Sequence, residues 1–206
     1  MLGRNEVRGN ISLSTAGTPQ ATKGRYLIEA KGSTFTVRAF ATGMLSAFGH
    51  SPTIAIPDLQ GEIQFASDTP EGSSVRIVIQ AASLAVTGDI SAEDRQEIER
   101  RMHDEVLETD EFPEIIYECP RSSSIQKMGE GLYVVELNGD LALHGVTRSQ
   151  PVSARVTVKG EVVRSAGEFS LRQSDYEIRP VTALGGAVRL KDELKFSFDI
   201  TARKLA

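Results

Sequence analysis

The sequence has very little cysteine: a single residue, Cys119, in a chain of 206 residues. A lone cysteine has no partner in its own chain, so an intramolecular disulfide is excluded. The absence of disulfides suits a reducing compartment, and an exported protein without disulfides would also fit it. Cys119 lies in a strand-like run that ends at Pro120, which favours a packed and unreactive thiol.

The chain also lacks an excess of positive charge, with 23 basic and 28 acidic residues and a formal net charge of −5. Proteins that bind nucleic acid normally carry an excess of basic residues or a basic stripe on their surface. Proteins that are attracted to anionic membranes need a cluster of cationic side chains. The short basic pair Arg100-Arg101 is flanked by acidic residues, and the pair Arg203-Lys204 lies at the C-terminal end of the sequence. The sequence therefore predicts no nucleic-acid partner and no polybasic membrane-surface patch.

Long apolar runs are missing as well. No stretch approaches the roughly 18 apolar residues of a membrane span, and residues 1–24 hold no apolar stretch of signal-peptide length. Because residues 1–24 are rich in Gly, Ser, Thr and Asn, they predict a flexible N-terminal arm ahead of a domain at 25–206. These absences predict a cytoplasmic protein without stable membrane insertion.

Sequence motifs for phosphate, metal or nucleophilic chemistry are absent. The chain has no glycine-rich phosphate loop, no Gly-x-Ser-x-Gly elbow and no Cys-x-x-Cys or His-x-x-x-His spacing. Two of its three histidines, His50 and His144, each lie beside a glycine. They could share a metal or polarise a ligand, or each could bond a nearby carbonyl or carboxylate in a turn. The second interpretation is the simpler one, so the sequence predicts a non-enzyme with no metal and no cofactor.

What the sequence does contain is a regular alternation of apolar and polar residues. The clearest case is 193–202, and similar rows lie at 133–143, 152–158, 75–79 and 59–65. This period of two is typical of strands that bury one face. Clusters of Gly, Ser, Asp and Pro separate the rows. Many strands joined by short turns predict a mostly β, single-domain barrel or sandwich.

One segment, residues 91–108, predicts a helix instead. Ser91 can cap its first turn, and Asp94 places a negative charge near the positive end of the helix dipole. A narrow apolar stripe recurs every four residues, at Ile98, Met102 and Val106. So narrow a stripe suits a single helix that flanks one end of a barrel.

Four stretches between Tyr26 and Lys204 resemble the YceI-like family. They are FTVR leading to FGHSP (35–52), FPEIIY (112–117), LNGDLALHGVTR (137–148), and QSDYEIRP followed by VRLKDEL (173–194). The resemblance implies a single antiparallel eight-stranded, lipocalin-like barrel with an elongated apolar cavity. It also implies binding of polyisoprenoid or related lipids, and pairing into homodimers. Glu177 stands where the family has a glycine, which predicts a departure in that turn.

Residues and resemblance together predict a non-catalytic carrier for a long apolar ligand, such as an isoprenoid, quinone-like or fatty-acyl lipid. The alternation alone leaves the interior open, because the same rows would fill a solid core or line a tube. A filled barrel would be a protein-interaction module, and a lipid-modifying enzyme would use His50 or His144. The candidate ligand-binding residues come from the apolar rows and from two glycine-flanked segments: Phe48, His50, Phe65, Val75, Ile77, Ile79, Leu137, Leu141, Leu143, His144, Phe196 and Phe198.

Overall fold

The alternating segments form the strands of one antiparallel sheet. The computed structural model describes residues 24–42, 52–65, 72–183 and 188–205. Within these residues the strands are β1 (Gly24–Ile28), β2 (Thr34–Thr42), β3 (Thr53–Ala55), β4 (Leu59–Phe65), β5 (Ser74–Gln80), β6 (Ala85–Thr87), β7 (Glu114–Cys119), β8 (Ser124–Gly129), β9 (Leu132–Leu143), β10 (Val146–Lys159), β11 (Val162–Arg172), β12 (Thr182–Ala183) and β13 (Val188–Lys204).

Eight of these strands close into a barrel. The order β1-β4-β5-β7-β9-β10-β11-β13 returns to its start, because β13 pairs with β1 from Tyr26↔Lys204 to Ile28↔Ala202. Closure satisfies the backbone groups that an open sheet would leave at its edges. The predicted mostly β fold, a single antiparallel eight-stranded lipocalin-like barrel, is thereby confirmed.

Three of the other five strands, β2, β3 and β6, extend the wall on one side, while β8 pairs with β9 and β12 with β13. β2 pairs with β13 beyond the end of β1, and β3 and β6 continue from β2. The β2–β13 register shifts between Leu190 and Leu194. Leu190 lies opposite Ala41 and Leu194 lies opposite Ala39, so four steps along β13 correspond to only two steps along β2. β13 therefore carries a bulge, which increases the local twist of this wall.

The predicted helix is present with a change of geometry near its end. The α-helix α1 runs from Ala92 to Arg101 and continues as π-helical backbone over Met102–Val106. Ser91 Oγ accepts a hydrogen bond of 3.0 Å from the Asp94 amide, as the capping signal predicts. Glu99 ties the helix to β6, because its carboxylate accepts a bond of 2.8 Å from the Val86 amide.

The two ends of the barrel differ. The end away from α1, where β10 turns into β11, is filled by buried side chains and is called the packed end: Tyr26, Phe65, Tyr133, Val135, Val156, Val163 and Ala202. Phe65 meets Tyr133 edge to face, with ring centroids 5.1 Å apart. At the other end, called the helix end, β9 turns into β10 at His144 and Gly145, both with positive φ. Such a two-residue loop matches the twist of a hairpin.

The turn at Glu177 retains a conformation that favours glycine. A short 3-10 turn, Gln173–Tyr176, ends at Glu177, whose φ is +60°. Left-handed backbone is strained for a residue with a Cβ atom. Glu177 thus differs from glycine in its side chain, whereas its backbone has the left-handed conformation that glycine adopts easily.

Candidate ligand-binding cavity

The barrel encloses a cavity with a volume of about 370 Å³ between the packed end and α1. This is within the range of small-molecule sites and far larger than an ordinary packing defect. Its walls are the inward-facing positions of the strands, for example Phe35, Val37 and Ala39 on β2. Among the described residues these inward rows line a cavity in this half of the barrel.

The described lining of the cavity is almost entirely apolar. Five of its residues have polar or charged side chains: Arg101, Tyr117, Gln150, Ser165 and Gln173. Four of them donate hydrogen bonds within the protein: Arg101, Tyr117, Gln150 and Gln173. The Arg101 guanidinium donates to Glu105 at 3.2 Å, and the Gln173 amide donates to the Lys191 carbonyl at 2.9 Å. A surface of this kind offers dispersion contacts and removal from water rather than charge recognition.

Four phenylalanines form one side of the cavity. Phe169 and Phe196 are stacked, with ring centroids 4.6 Å apart and planes 6° from parallel. Phe35 meets Phe169, Phe196 and Phe198 edge to face at 6.0 to 6.4 Å. Mutual ring contacts fix the side chains, so this wall keeps its shape without a ligand.

Tyr117 places a phenol among the apolar lining residues. Its hydroxyl donates to the Gln150 carbonyl and accepts from the Gly139 amide, both at 3.2 Å. The ring lies so close to Gly139 that a Cβ there would be 2.6 Å from it, so this position requires glycine. Burial raises the pKa of Tyr117 to about 12, and the phenol stays neutral under ordinary conditions.

The buried thiol of Cys119 is a structural group. It donates to the Arg121 carbonyl at 3.2 Å and is fully enclosed. Burial raises the pKa of the Cys119 thiol, which disfavours the reactive thiolate. The packed-thiol interpretation is confirmed.

The helix contributes the apolar stripe that its sequence predicts. Ile98, Met102, Val106 and the following Leu107 all line the cavity. Met102 and Val106 lie in the π-helical turn, a geometry often found at functional sites. The helix is therefore part of the cavity wall, and its other faces carry charged residues in contact with solvent.

His144 lies outside the cavity lining, and its side chain is held by contacts with other protein groups. Its Nε2 is 2.7 Å from Glu108 Oε2, its Nδ1 is 3.3 Å from the Tyr176 carbonyl, and its ring packs 4.6 Å from Phe112. The interpretation that it bonds a carbonyl and a carboxylate at a turn is confirmed. This contact joins the β9–β10 hairpin to the segment that follows the helix.

The other predicted site residues fall into three groups. Eight line the cavity: Val75, Ile77, Ile79, Leu137, Leu141, Leu143, Phe196 and Phe198. Phe65 lies at the packed end, because it is the last residue of β4 and that strand has already passed the cavity. Phe48 and His50 lie outside the described residues.

Sequence reasoning missed several lining residues. Phe35 and Phe169 lie in β2 and β11, outside the five rows from which the candidates were taken, although the alternation of these strands could have identified them. Tyr117 and Gln150 carried no signal of their own, because an inward phenol or amide is not distinguished by periodicity.

Two negative findings concern the described part of the chain. Residues 24–42, 52–65, 72–183 and 188–205 contain no group of three or more His, Cys, Asp or Glu side chains placed to hold a metal ion. Within the same ranges, every helix is too short or too polar to cross a membrane.

Three solved structures share this fold. BcnA of Burkholderia cenocepacia is 16% identical with a TM-score of 0.62, and the match covers 84% of this chain and 98% of BcnA. A polyisoprenoid-binding domain from Saccharophagus degradans, implicated in plant cell wall breakdown, is 14% identical with a TM-score of 0.63, over 87% and 98% of the two chains. The YceI protein of Campylobacter jejuni is 14% identical with a TM-score of 0.54, over 74% and 85%.

At these identities the structural likeness shows the fold alone. No curated protein matches the chain in sequence. The family model of the YceI-like domain, however, matches residues 7–202, which is nearly the whole chain. This protein therefore belongs to the family of YceI-like domains.

Proposed function

We propose that this protein binds a long apolar molecule, of the isoprenoid, quinone-like or fatty-acyl class, inside the barrel and carries it without chemical change. The observation that carries the proposal is the cavity of about 370 Å³ with its nearly continuous apolar lining. The similarity of the fold to a polyisoprenoid-binding domain supports the same ligand class.

The driving force would be removal of hydrocarbon from water. Each buried methylene contributes about 0.8 kcal/mol, so a ten-carbon segment contributes roughly 8 kcal/mol before the cost of association and ordering. Because this term is not directional, chain length and cavity shape would select the ligand more than chemical identity.

A carrier role fits the polar groups better than catalysis does. The Tyr117 hydroxyl already donates to one protein group and accepts from another, and its raised pKa keeps it neutral. His144 is engaged by Glu108 and lies outside the lining. An acid–base catalyst needs a group within hydrogen-bond reach of the reacting atom.

The test is native mass spectrometry of the purified protein, followed by extraction and identification of any bound compound. We expect one long apolar molecule per chain. A variant that narrows the cavity, Ala154→Leu, should lose most of this ligand or retain only shorter chains, because Ala154 is 3% exposed and lines the cavity.

The matched control is Ser153→Leu on the same strand, since adjacent residues of a strand point to opposite faces. Ser153 is exposed, and its hydroxyl donates to Glu136 at 2.7 Å. This variant should keep the ligand. A ligand-free protein that takes up neither isoprenoid quinones nor fatty-acyl lipids would overturn the proposal and favour an interaction module.

The proposal also includes a homodimer in the cytoplasm. The family resemblance supports the dimer, and the lone cysteine suits the location. Sedimentation velocity and cell fractionation test the two statements separately.

A further inference from the structure

Three cations and one aromatic ring meet on the outer surface of β2 and β13 near the helix end. The Arg38 guanidinium lies 5.5 Å from the centroid of the Phe40 ring, and the Lys191 and Lys195 ammonium groups lie 5.9 and 5.8 Å from it. Each distance is within the reach of a cation–π interaction. These four residues are called the basic patch.

Strand pairing and the bulge bring these charges together against their mutual repulsion. Arg38 and Lys195 are direct partners in the β2–β13 register. Like charges at directly opposed positions destabilise a sheet. Lys191 joins them because it lies inside the bulge between Leu190 and Leu194. An arrangement that opposes stability is a reason to look for a function.

Among the described residues, none of the three cations forms an ion pair. Arginines elsewhere on the barrel do so: Arg164 pairs with Asp199 at 2.5 Å, and Arg203 pairs with Glu29 at 2.9 Å. The sequences that follow β2 (43–51) and precede β13 (184–187) contain no acidic residue. The patch thus concentrates uncompensated positive charge on a protein with a formal net charge of −5.

The two acids closest in sequence have other neighbours. Asp192 accepts hydrogen bonds from the Ser174 amide and hydroxyl at 2.8 and 2.6 Å. Glu193 lies opposite Arg172 in the register of β11 and β13. The positive charge of the patch therefore remains available to an external anion.

The patch lies on the other face of the strands that form the cavity wall. Val37, Ala39, Leu194 and Phe196 point inward from the same stretches of β2 and β13. A long apolar ligand is insoluble in water and has to be exchanged with a membrane. A half-buried aromatic ring among lysine and arginine side chains is a combination suited to the membrane–water interface.

We propose that the basic patch of Arg38, Phe40, Lys191 and Lys195 docks this protein, as a peripheral protein, on the anionic phospholipid surface from which the cavity is loaded. The loading role rests on the proposed carrier function, whereas docking itself does not require a ligand in the cavity. The patch corrects the expectation of no basic surface cluster, because the fold brings Arg38 to Lys191 and Lys195, from which it is far apart in sequence.

The test is co-sedimentation of the purified protein with vesicles of phosphatidylcholine mixed with phosphatidylglycerol, and with vesicles of phosphatidylcholine alone. The wild type should bind the anionic vesicles, and added salt should weaken the binding. The triple variant Arg38→Gln, Lys191→Gln and Lys195→Gln should bind them on the order of 100-fold more weakly, since each cation near an anionic surface adds about a fivefold factor.

The matched control is the triple variant Lys127→Gln, Arg155→Gln and Lys159→Gln. It removes the same amount of charge from exposed positions on β8 and β10. The control should bind anionic vesicles within a few-fold of the wild type. Native mass spectrometry of both triple variants measures cavity loading independently, so docking and carrier function can fail separately.

Two results would overturn the docking proposal. One is equal binding by the wild type and the patch variant, or an equal loss in both triple variants, which would indicate general electrostatics. The other is a wild type that binds no anionic vesicle, which would point to an acidic protein partner instead. Loss of vesicle binding in the patch variant alone supports docking, whether or not a lipid is found in the cavity.

Discussion

The packed end and the helix end of this barrel are built from the same alternating strands but have opposite interiors. At the packed end Phe65, Tyr133 and Val163 are 4%, 3% and 1% exposed and fill the space between the strands. Toward the helix the strands surround about 370 Å³ of empty volume. The comparison shows that hollowness in a small barrel is local, and that one pattern of residues supports both a core and a binding site.

The two ends are also closed by different interactions. The packed end relies on dispersion contacts between rings and aliphatic side chains. The helix end relies on polar contacts that hold α1 and the adjoining turns, such as Glu99 with the Val86 amide and His144 with Glu108. Polar anchors contribute less to stability than a filled core and can open locally, which suits the end through which a ligand would enter.

The largest expected effect comes from truncating one phenylalanine at each end. Phe65→Ala should lower the free energy of unfolding by about 3–5 kcal/mol, because it empties a fully packed site. Phe196→Ala should cost less, about 1–3 kcal/mol, because part of its ring already faces empty volume. Urea unfolding of both variants measures the difference. Equal losses would mean that the cavity wall is as tightly packed as the closed end.

A smaller effect is expected from the contact between His144 and Glu108. Glu108→Ala should destabilise the protein by about 1 kcal/mol, which is typical of one hydrogen bond. His144→Ala should cost more, because it also removes the contacts of the ring with the Tyr176 carbonyl and with Phe112. In a double-mutant cycle the two changes should couple, and hydrogen exchange should rise in 92–106 rather than at the packed end. Additive losses, or faster exchange throughout the barrel, would contradict the role of this contact as a local anchor.

A third effect is confined to alkaline pH and concerns Tyr117. Burial raises the pKa of its phenol from 10 to about 12, so the folded protein favours the neutral form. The resulting stability is fully present below pH 10 and is lost as the pH rises through about 12. Tyr117→Phe should lack this alkaline decline.

Urea midpoints measured from neutral to alkaline pH for the wild type and Tyr117→Phe test this prediction. Tyr133→Phe is the control for a tyrosine at the packed end, and it should retain the decline caused by Tyr117. Parallel curves for the wild type and Tyr117→Phe would mean that the phenol is hydrated rather than enclosed.

The strands of the barrel could be predicted from the sequence. The rows at 193–202, 133–143 and 152–158 became β13, β9 and β10, because a period of two has one physical explanation in a soluble chain: a strand with one buried face. The helix start at Ser91 was equally local, since a cap needs only a side-chain oxygen three residues before an amide.

The sequence by itself thus determined the strands, the capped helix and the apolar character of the interior, because each depends on residues close together in the chain. The tertiary structure alone decided that Phe65 fills a core while Phe196 borders a cavity, since register and closure set the distance across the barrel. It also decided that Arg38 and Lys195, 157 positions apart in the chain, share one surface with Phe40. Neither outcome follows from alternation, because alternation specifies the face on which a side chain lies and not what lies opposite it.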